Sequence, residues 1–313
     1  MNQSNPGGPF SILVEYNSFF QKACPSMPIQ WFPGHMNAAR KEAAKTMEVI
    51  DVIVEMLDAR APNASCNPLI KELRLVRQRP SLKVLNKADL ADPAVTQAWL
   101  DLYNQQPGVS AVALSCSHAG DAAKVPQLCQ PLAPHRHNSA KPLRMLIMGV
   151  PNVGKSTLMN TLLKHRVARV GDEPAVTKVL QRHKLNDHMA ITDSPGLLWG
   201  TIKAPHVGLL LATINAVDHS VVDDEAVAEF LSAILLARYP ARLTARYGFS
   251  VDGLTSTGVN DAIARKRGCL LTRNGGGLDR DKAARVLLSD YRNGTLGRTS
   301  LETPDRRPEE KRS

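Results

Sequence analysis

The order of two loop motifs constrains this chain more than any other feature. Asn86-Lys87-Ala88-Asp89 comes first, and Gly149-Val150-Pro151-Asn152-Val153-Gly154-Lys155-Ser156 follows about sixty residues later. The second motif fits GxxxxGK[ST] without a mismatch and lies between an apolar run, Leu143 to Met148, and a helix-like stretch, Ser156 to Lys164. Strand, glycine-rich turn and helix N-terminus together are what a phosphate-cradling loop needs. An NKxD pattern alone is weak, since a capping Asn and a surface Lys also explain it. Beside a phosphate loop it reads as a base-recognition motif. The phosphate loop ordinarily leads and the base reader trails, so the reversed order implies a circularly permuted domain.

Five β-type runs can be read before residue 200: Val49 to Leu57, Ser81 to Leu85, Ser110 to Leu114, Leu143 to Met148 and Met189 to Thr192. Each ends in a polar motif: Asp58-Ala59-Arg60, Asn86 to Asp89, Ser115-Cys116-Ser117, the glycine-rich loop, and Asp193-Ser194-Pro195-Gly196. Open α/β sheets bind ligands beyond the carboxyl ends of parallel strands, so the five motifs are expected to converge on one site. The expected fold is α/β, a permuted P-loop domain with a mostly parallel sheet and helices on both faces, followed by a small all-α domain. Pro134 to Pro142 reads as the surface connection that joins the permuted halves.

The residue types specify the ligand. Backbone amides of the loop through Val153, Gly154, Lys155, Ser156 and Thr157 are placed to cradle phosphates, with Lys155 reaching the β/γ oxygens and the Ser156 hydroxyl ligating Mg²⁺. Asp193 would hold a water on that ion, Thr177 would complete its shell, and the Gly196 amide would meet the γ-phosphate. The Asp89 carboxylate can accept from guanine N1–H and the 2-amino group, whereas adenine offers an acceptor at N1 and no 2-amino group. GTP is therefore the expected nucleotide, with Asn86 bracing the loop, Lys87 lying along the base and Ser115-Cys116 supplying a further contact. Many GTPases place a water-orienting glutamine directly after the DxxG motif; here that position is Leu197.

After about Lys203 the pattern becomes helical, with apolar spacing of three and four over Val207 to Val217, Asp224 to Arg238 and Asp281 to Arg292. In the last, Ala284, Leu287, Leu288 and Tyr291 share one face, while Lys282, Arg285, Ser289 and Arg292 lie nearly opposite. The domain limits expected are an unstructured extension over 1–30, a nucleotide domain over 31–203, a helical domain over 204–300 and a charged tail over 301–313. The net charge is +10, and residues 241–313 carry 15 Lys/Arg against 9 Asp/Glu. Such a basic segment attracts polyphosphate partners through counterion release. Arg265, Lys266, Arg267, Lys282, Arg285 and Arg292 are the candidate RNA contacts. Five scattered cysteines with no CxxC pair argue against a disulfide framework and fit a reducing cytoplasm. No apolar run approaches the roughly 20 residues of a membrane span.

Trp31-Phe32-Pro33-Gly34-His35-Met36, ahead of an alanine-rich stretch over 37–47, completes a pattern that resembles the ribosome biogenesis GTPase A family from about Met27 to Thr303. The resemblance implies a circularly permuted GTPase acting late in assembly of the large ribosomal subunit. It would grip rRNA and ribosomal proteins through the helical domain in the GTP state and leave after hydrolysis, as a monomer and away from membranes. It further implies a hydrolytic role for His35, consistent with Leu197 in the glutamine position, and a potassium ion held by Asn152 beside the phosphates. In the switch segment the chain departs from the family, with Ala175 and Lys178 where glycine and a second threonine are common. Two other readings stay open: a small-subunit assembly factor, which the absence of a barrel or zinc module disfavours, and a GTP-dependent RNA-binding scaffold with little catalysis.

Overall fold

Val52–Asp58 is buried at all seven positions, which demands cover on both sides and is the environment of a central parallel strand. A computed structural model of the chain describes residues 29–30, 44–136, 140–164, 181–194, 201–202, 204–217, 222–271 and 276–304. In chain order the strands are β1 (Ile29–Gln30), β2 (Val52–Asp58), β3 (Ser81–Asn86), β4 (Val109–Ala113), β5 (Leu143–Met148), β6 (Gln181–Asn186), β7 (Met189–Asp193) and β8 (Thr201–Ile202). Six form one sheet in the order β4-β3-β2-β5-β7-β6, parallel except for β6, which runs antiparallel to β7. The strand that feeds the glycine-rich loop, β5, thus lies between β2 and β7. The connection from edge strand β4 back to β5 passes over β3 and β2, carrying the short helices Ala119–Ala122 and Lys124–Cys129 on the way.

One face of the sheet is covered by two helices that begin with proline after a side-chain cap: Pro68–Val76 after Asn67, and Pro93–Asn104 after Asp92. Ile70 and Leu73 pack with Ile53 and Leu146, while Trp99 and Tyr103 pack with Leu57 and Leu85. The intervening residues Val54 and Met56 are equally buried, so the second face is covered too. Strand β6 was not expected from the sequence. From Arg182 to Asn186 its residues alternate exposed and half-buried, with Leu185 the one aliphatic position, so an edge strand leaves almost no apolar signature.

By contacts, the described residues fall into two units: those of 44–194 with 214–217 and 298–304, and those of 29–30 with 201–213 and 222–297. Segments 214–217 and 298–304 therefore go with the sheet, where the sequence limits put both beyond residue 203. In the helical unit, Asp224–Arg238 packs against Pro205–Thr213, Pro240–Tyr247, Ser256–Arg267 and Arg280–Arg292. Buried Asp290 accepts two bonds from Arg246, both 2.8 Å, and one from the Tyr247 hydroxyl at 2.9 Å, tying the last helix to Pro240–Tyr247. β1 and β8 pair antiparallel in the same unit. Among the described residues no helix is long and apolar enough to cross a membrane.

A buried ion pair lies on the covered face of the sheet: register partners Glu55 and Lys83 meet side chain to side chain, with the Lys83 ammonium 5.0 Å from the centre of the Tyr103 ring. Removing one member leaves the other charge desolvated and unpaired, whereas replacing both with apolar groups does not. Lys83→Met is expected to lower the unfolding free energy by about 3–5 kcal/mol, and the Glu55→Leu/Lys83→Met double variant to recover most of it. Denaturant unfolding reads both, and a fully stable single variant would contradict this account.

Candidate nucleotide site

The motifs at the ends of β2, β3, β4 and β5 are bonded to one another. Asn86, the last residue of β3, donates through Nδ2 to the Val153 carbonyl of the glycine-rich loop at 2.8 Å. Its Oδ1 accepts from the Cys116 amide, also at 2.8 Å. Lys87 donates to the Asn152 carbonyl at 2.9 Å and lies 3.1 Å from the Asp58 carboxylate. Ser115 donates its hydroxyl to Asp89, whose own amide donates back to that hydroxyl at 3.3 Å. The carboxylate of Asp89 is at an exposed residue, open to a base, while Asn86 and Cys116 behind it are buried.

Asp58 and Arg60 carry more of this arrangement than their sequence signature suggested. Asp58 is fully buried and accepts from Arg60 Nε at 2.9 Å and from its terminal nitrogen at 2.8 Å. Burial pushes the Asp58 carboxyl up, but the Arg60 and Lys87 charges outweigh it and hold the group well below the usual carboxylate range. A permanent anion thus anchors the lysine of the base-reading loop. Asp121, which belongs to none of the motifs, accepts from the Ser115 amide at 3.1 Å and fixes the third loop.

The glycine-rich loop is built as the spacing predicts. Gly154 has φ +99°, and a side chain there would collide with the Asn86 carboxamide, so the glycine permits the two motifs to meet. Asn152 has φ +59° and donates from Nδ2 to the Asn215 carbonyl at 2.6 Å. Helix Lys155–Leu163 starts at Gly154, which offers no capping side chain, and its first amides suit an anion. Lys155 is buried and donates to the Val150 carbonyl at 2.7 Å. Burial pulls its ammonium down to about 8, with Asp193 opposing the shift.

Asp193 closes β7 and is 2% exposed. Burial raises its carboxyl, with Lys155 acting against that, and its Oδ1 has no hydrogen-bond partner among the described residues. A buried anionic oxygen without a donor, beside the helix that carries Ser156 and Thr157, fits a hydrated divalent cation. Among the described residues no cluster of three His, Cys, Asp or Glu could hold a metal alone. His35, Thr177 and Gly196, with Leu197, lie outside the described residues.

Of the basic positions, Arg265, Lys266, Arg267, Lys282 and Arg285 are exposed. Arg285 pairs with Asp281 at 2.6 Å. Arg292 instead turns inward, donating to the Ala212 and Thr213 carbonyls at 2.8 and 3.1 Å, and so caps the C-terminus of Pro205–Thr213.

Because Lys155 titrates near 8 while a bound polyphosphate favours its charged form, nucleotide binding should take up a proton above that pH. The sign is fixed: below about 8 the lysine is already charged, and affinity falls as pH rises through 8. Calorimetry in buffers of different ionisation enthalpy should read a clear proton uptake from this group at pH 9 that shrinks on going down to pH 7. No uptake at pH 9 would contradict the assignment of Lys155 as the buried phosphate ligand.

Comparisons with known proteins agree with this geometry. A family described as 50S ribosome-binding GTPase matches residues 144–236. Ribosome biogenesis GTPase A of Bacillus cereus is 37% identical over 286 residues, covering 89% of this chain and 95% of that protein. The protein of the same name from Priestia megaterium is 35% identical over 286 residues, covering 89% and 98%. A solved structure of GNP-bound YlqF from T. maritima is 26% identical with a TM-score of 0.59, covering 86% of this chain and 99% of that one. With a permuted order of motifs, an assembled guanine and phosphate site, and relatives matched over nearly their whole length, the chain belongs to the ribosome biogenesis GTPase A family, hydrolyses GTP and acts in ribosome assembly.

Proposed function

We propose that this GTPase acts at a late step of large-subunit assembly, binding immature subunits in the GTP state and leaving after hydrolysis. The observation that carries the proposal is the exposed run Arg265-Lys266-Arg267 at the end of Ser256–Arg267, with Lys282 and Arg285 on Arg280–Arg292 of the same unit. Five exposed cations on one small helical unit suit an rRNA backbone. The matched family's description as 50S ribosome-binding supports the large subunit as the partner. The division of labour follows: the sheet unit binds and hydrolyses GTP, the helical unit within 204–297 contacts RNA, and the chain works as a cytoplasmic monomer, which sedimentation at assay concentration would check.

In the site, Asn86, Asp89, Ser115 and Cys116 select guanine while Asn152, Val153, Gly154, Lys155, Ser156 and Thr157 hold the phosphates. Ser156, Thr177 and Asp193 hold the magnesium, which supplies charge neutralisation at the phosphates. With no glutamine at Leu197, His35 orients the attacking water, and the Gly196 amide meets the γ-phosphate. Asn152 takes a potassium ion, whose charge offsets that developing at the phosphates.

GTP turnover in potassium buffer, without ribosomes, with large subunits and with small subunits, tests the assignment. Large subunits alone should stimulate, by about tenfold or more. Stimulation by small subunits alone would move the protein to that particle, and GTP binding without turnover would make it a scaffold. His35→Ala should leave GTP binding intact and slow turnover by about a hundredfold; unchanged turnover removes His35 from the chemistry. Sodium in place of potassium should lower the rate, and indifference to the cation would take Asn152 out of that role.

A further inference from the structure

After the last helix, the chain runs back along the loops that follow β2 and β3. The Arg298 guanidinium donates through Nε to the Ala91 carbonyl at 2.8 Å and through a terminal nitrogen to the Ala88 carbonyl at 3.0 Å. The Thr299 amide donates to the Leu90 carbonyl at 3.0 Å, and Ser300 Oγ accepts from the Asp92 amide at 3.1 Å. The Leu301 amide donates to the Arg60 carbonyl at 2.7 Å. Glu302 Oε2 accepts from the Asn63 and Ala64 amides, both at 3.0 Å, and its carbonyl accepts from Trp99 Nε1 at 3.4 Å. Thr299 and Ser300 are buried. Every residue from 298 to 302 is therefore hydrogen-bonded to the segments 60–64, 88–92 or Trp99.

We propose that residues 298–302 form a strap that positions Asp89 for reading guanine, with Arg298 and Thr299 as positioning residues. The carbonyls of Ala88, Leu90 and Ala91, on both sides of Asp89, are held by the strap. The loop needs such support: Lys87 sits at φ +59°, a conformation that costs a non-glycine residue free energy and persists when its surroundings over-determine it. From behind, Ser115 and Asp58 fix the side chains of Asp89 and Lys87; the strap fixes the backbone between them and the helix cap Asp92. A carboxylate must meet both N1–H and the 2-amino group at once, so a small displacement of this backbone costs the two-pronged contact while leaving the phosphate loop untouched. Arg298 is exposed, so its removal does not open the core.

The proposal rests on Asn86 to Asp89 being the base-reading loop, and the test separates the two. Dissociation constants are measured for GDP, for IDP, which lacks the 2-amino group, and for magnesium pyrophosphate, using the full chain, Arg298→Ala, Arg298→Lys and a chain ending at Gly297. The parent should prefer GDP over IDP by about tenfold or more. Arg298→Ala and the shortened chain should shrink that ratio by about fivefold with pyrophosphate affinity unchanged, and Arg298→Lys should restore part of it. An unaltered ratio in Arg298→Ala, or equal losses for GDP and IDP, overturns the strap. A parent without preference for GDP over IDP overturns the base-reading assignment first.

Discussion

One side chain, the Asn86 carboxamide, holds the site together. Its nitrogen binds the carbonyl of Val153 in the phosphate loop and its oxygen binds the amide of Cys116 at the end of β4, so three loops from three strands share one planar group. Neither bond depends on the order of the loops along the chain. What matters is that β3, β4 and β5 end on the same side of a parallel sheet, and the strand order β4-β3-β2-β5-β7-β6 supplies that. Circular permutation rearranges the connections and leaves this junction intact.

Around the junction, charge is distributed unevenly and to a purpose. Asp58 is buried yet anionic because Arg60 and Lys87 compensate it, and this fixes the base-reading lysine. Lys155 and Asp193 are buried with less compensation, and burial pushes both away from their charged forms. A bound polyphosphate with a divalent cation would relieve both groups together. The site is therefore settled on the guanine side and electrostatically strained on the phosphate side, which suits a protein whose phosphate contacts must change with hydrolysis.

Much of this was legible in the sequence because it lies in short, local patterns. The five parallel strands and their motifs stand out, since continuous apolar runs end in polar turns, and helix Asp224–Arg238 falls where its periodicity placed it. Strand β6 escaped because an exposed edge strand is polar on the face it shows. Helices Pro240–Tyr247 and Ser256–Arg267 escaped because four buried residues or fewer in each leave a thin apolar stripe among arginines and small residues. Asp58-Ala59-Arg60 was visible as a motif but not as an anchor, since its partner Lys87 is 29 positions away in the chain. The inward turn of Arg292 and the return of residues 298–302 to the sheet unit are long-range contacts of ordinary residue types, and Asp121, six residues from the Ser115 amide it binds, belongs to no motif that would announce it.

The most direct test is equilibrium binding of GDP and ADP, in magnesium buffer, to the parent and to Asn86→Ala. The parent should bind GDP at least about a hundredfold more tightly than ADP, because ADP leaves the Asp89 carboxylate unpaired. Asn86→Ala, with its fold verified by circular dichroism, should lose about tenfold or more in GDP affinity as the base-reading and phosphate loops separate. Comparable affinity for ADP and GDP in the parent, or an Asn86→Ala variant that binds GDP as well as the parent, would contradict the account.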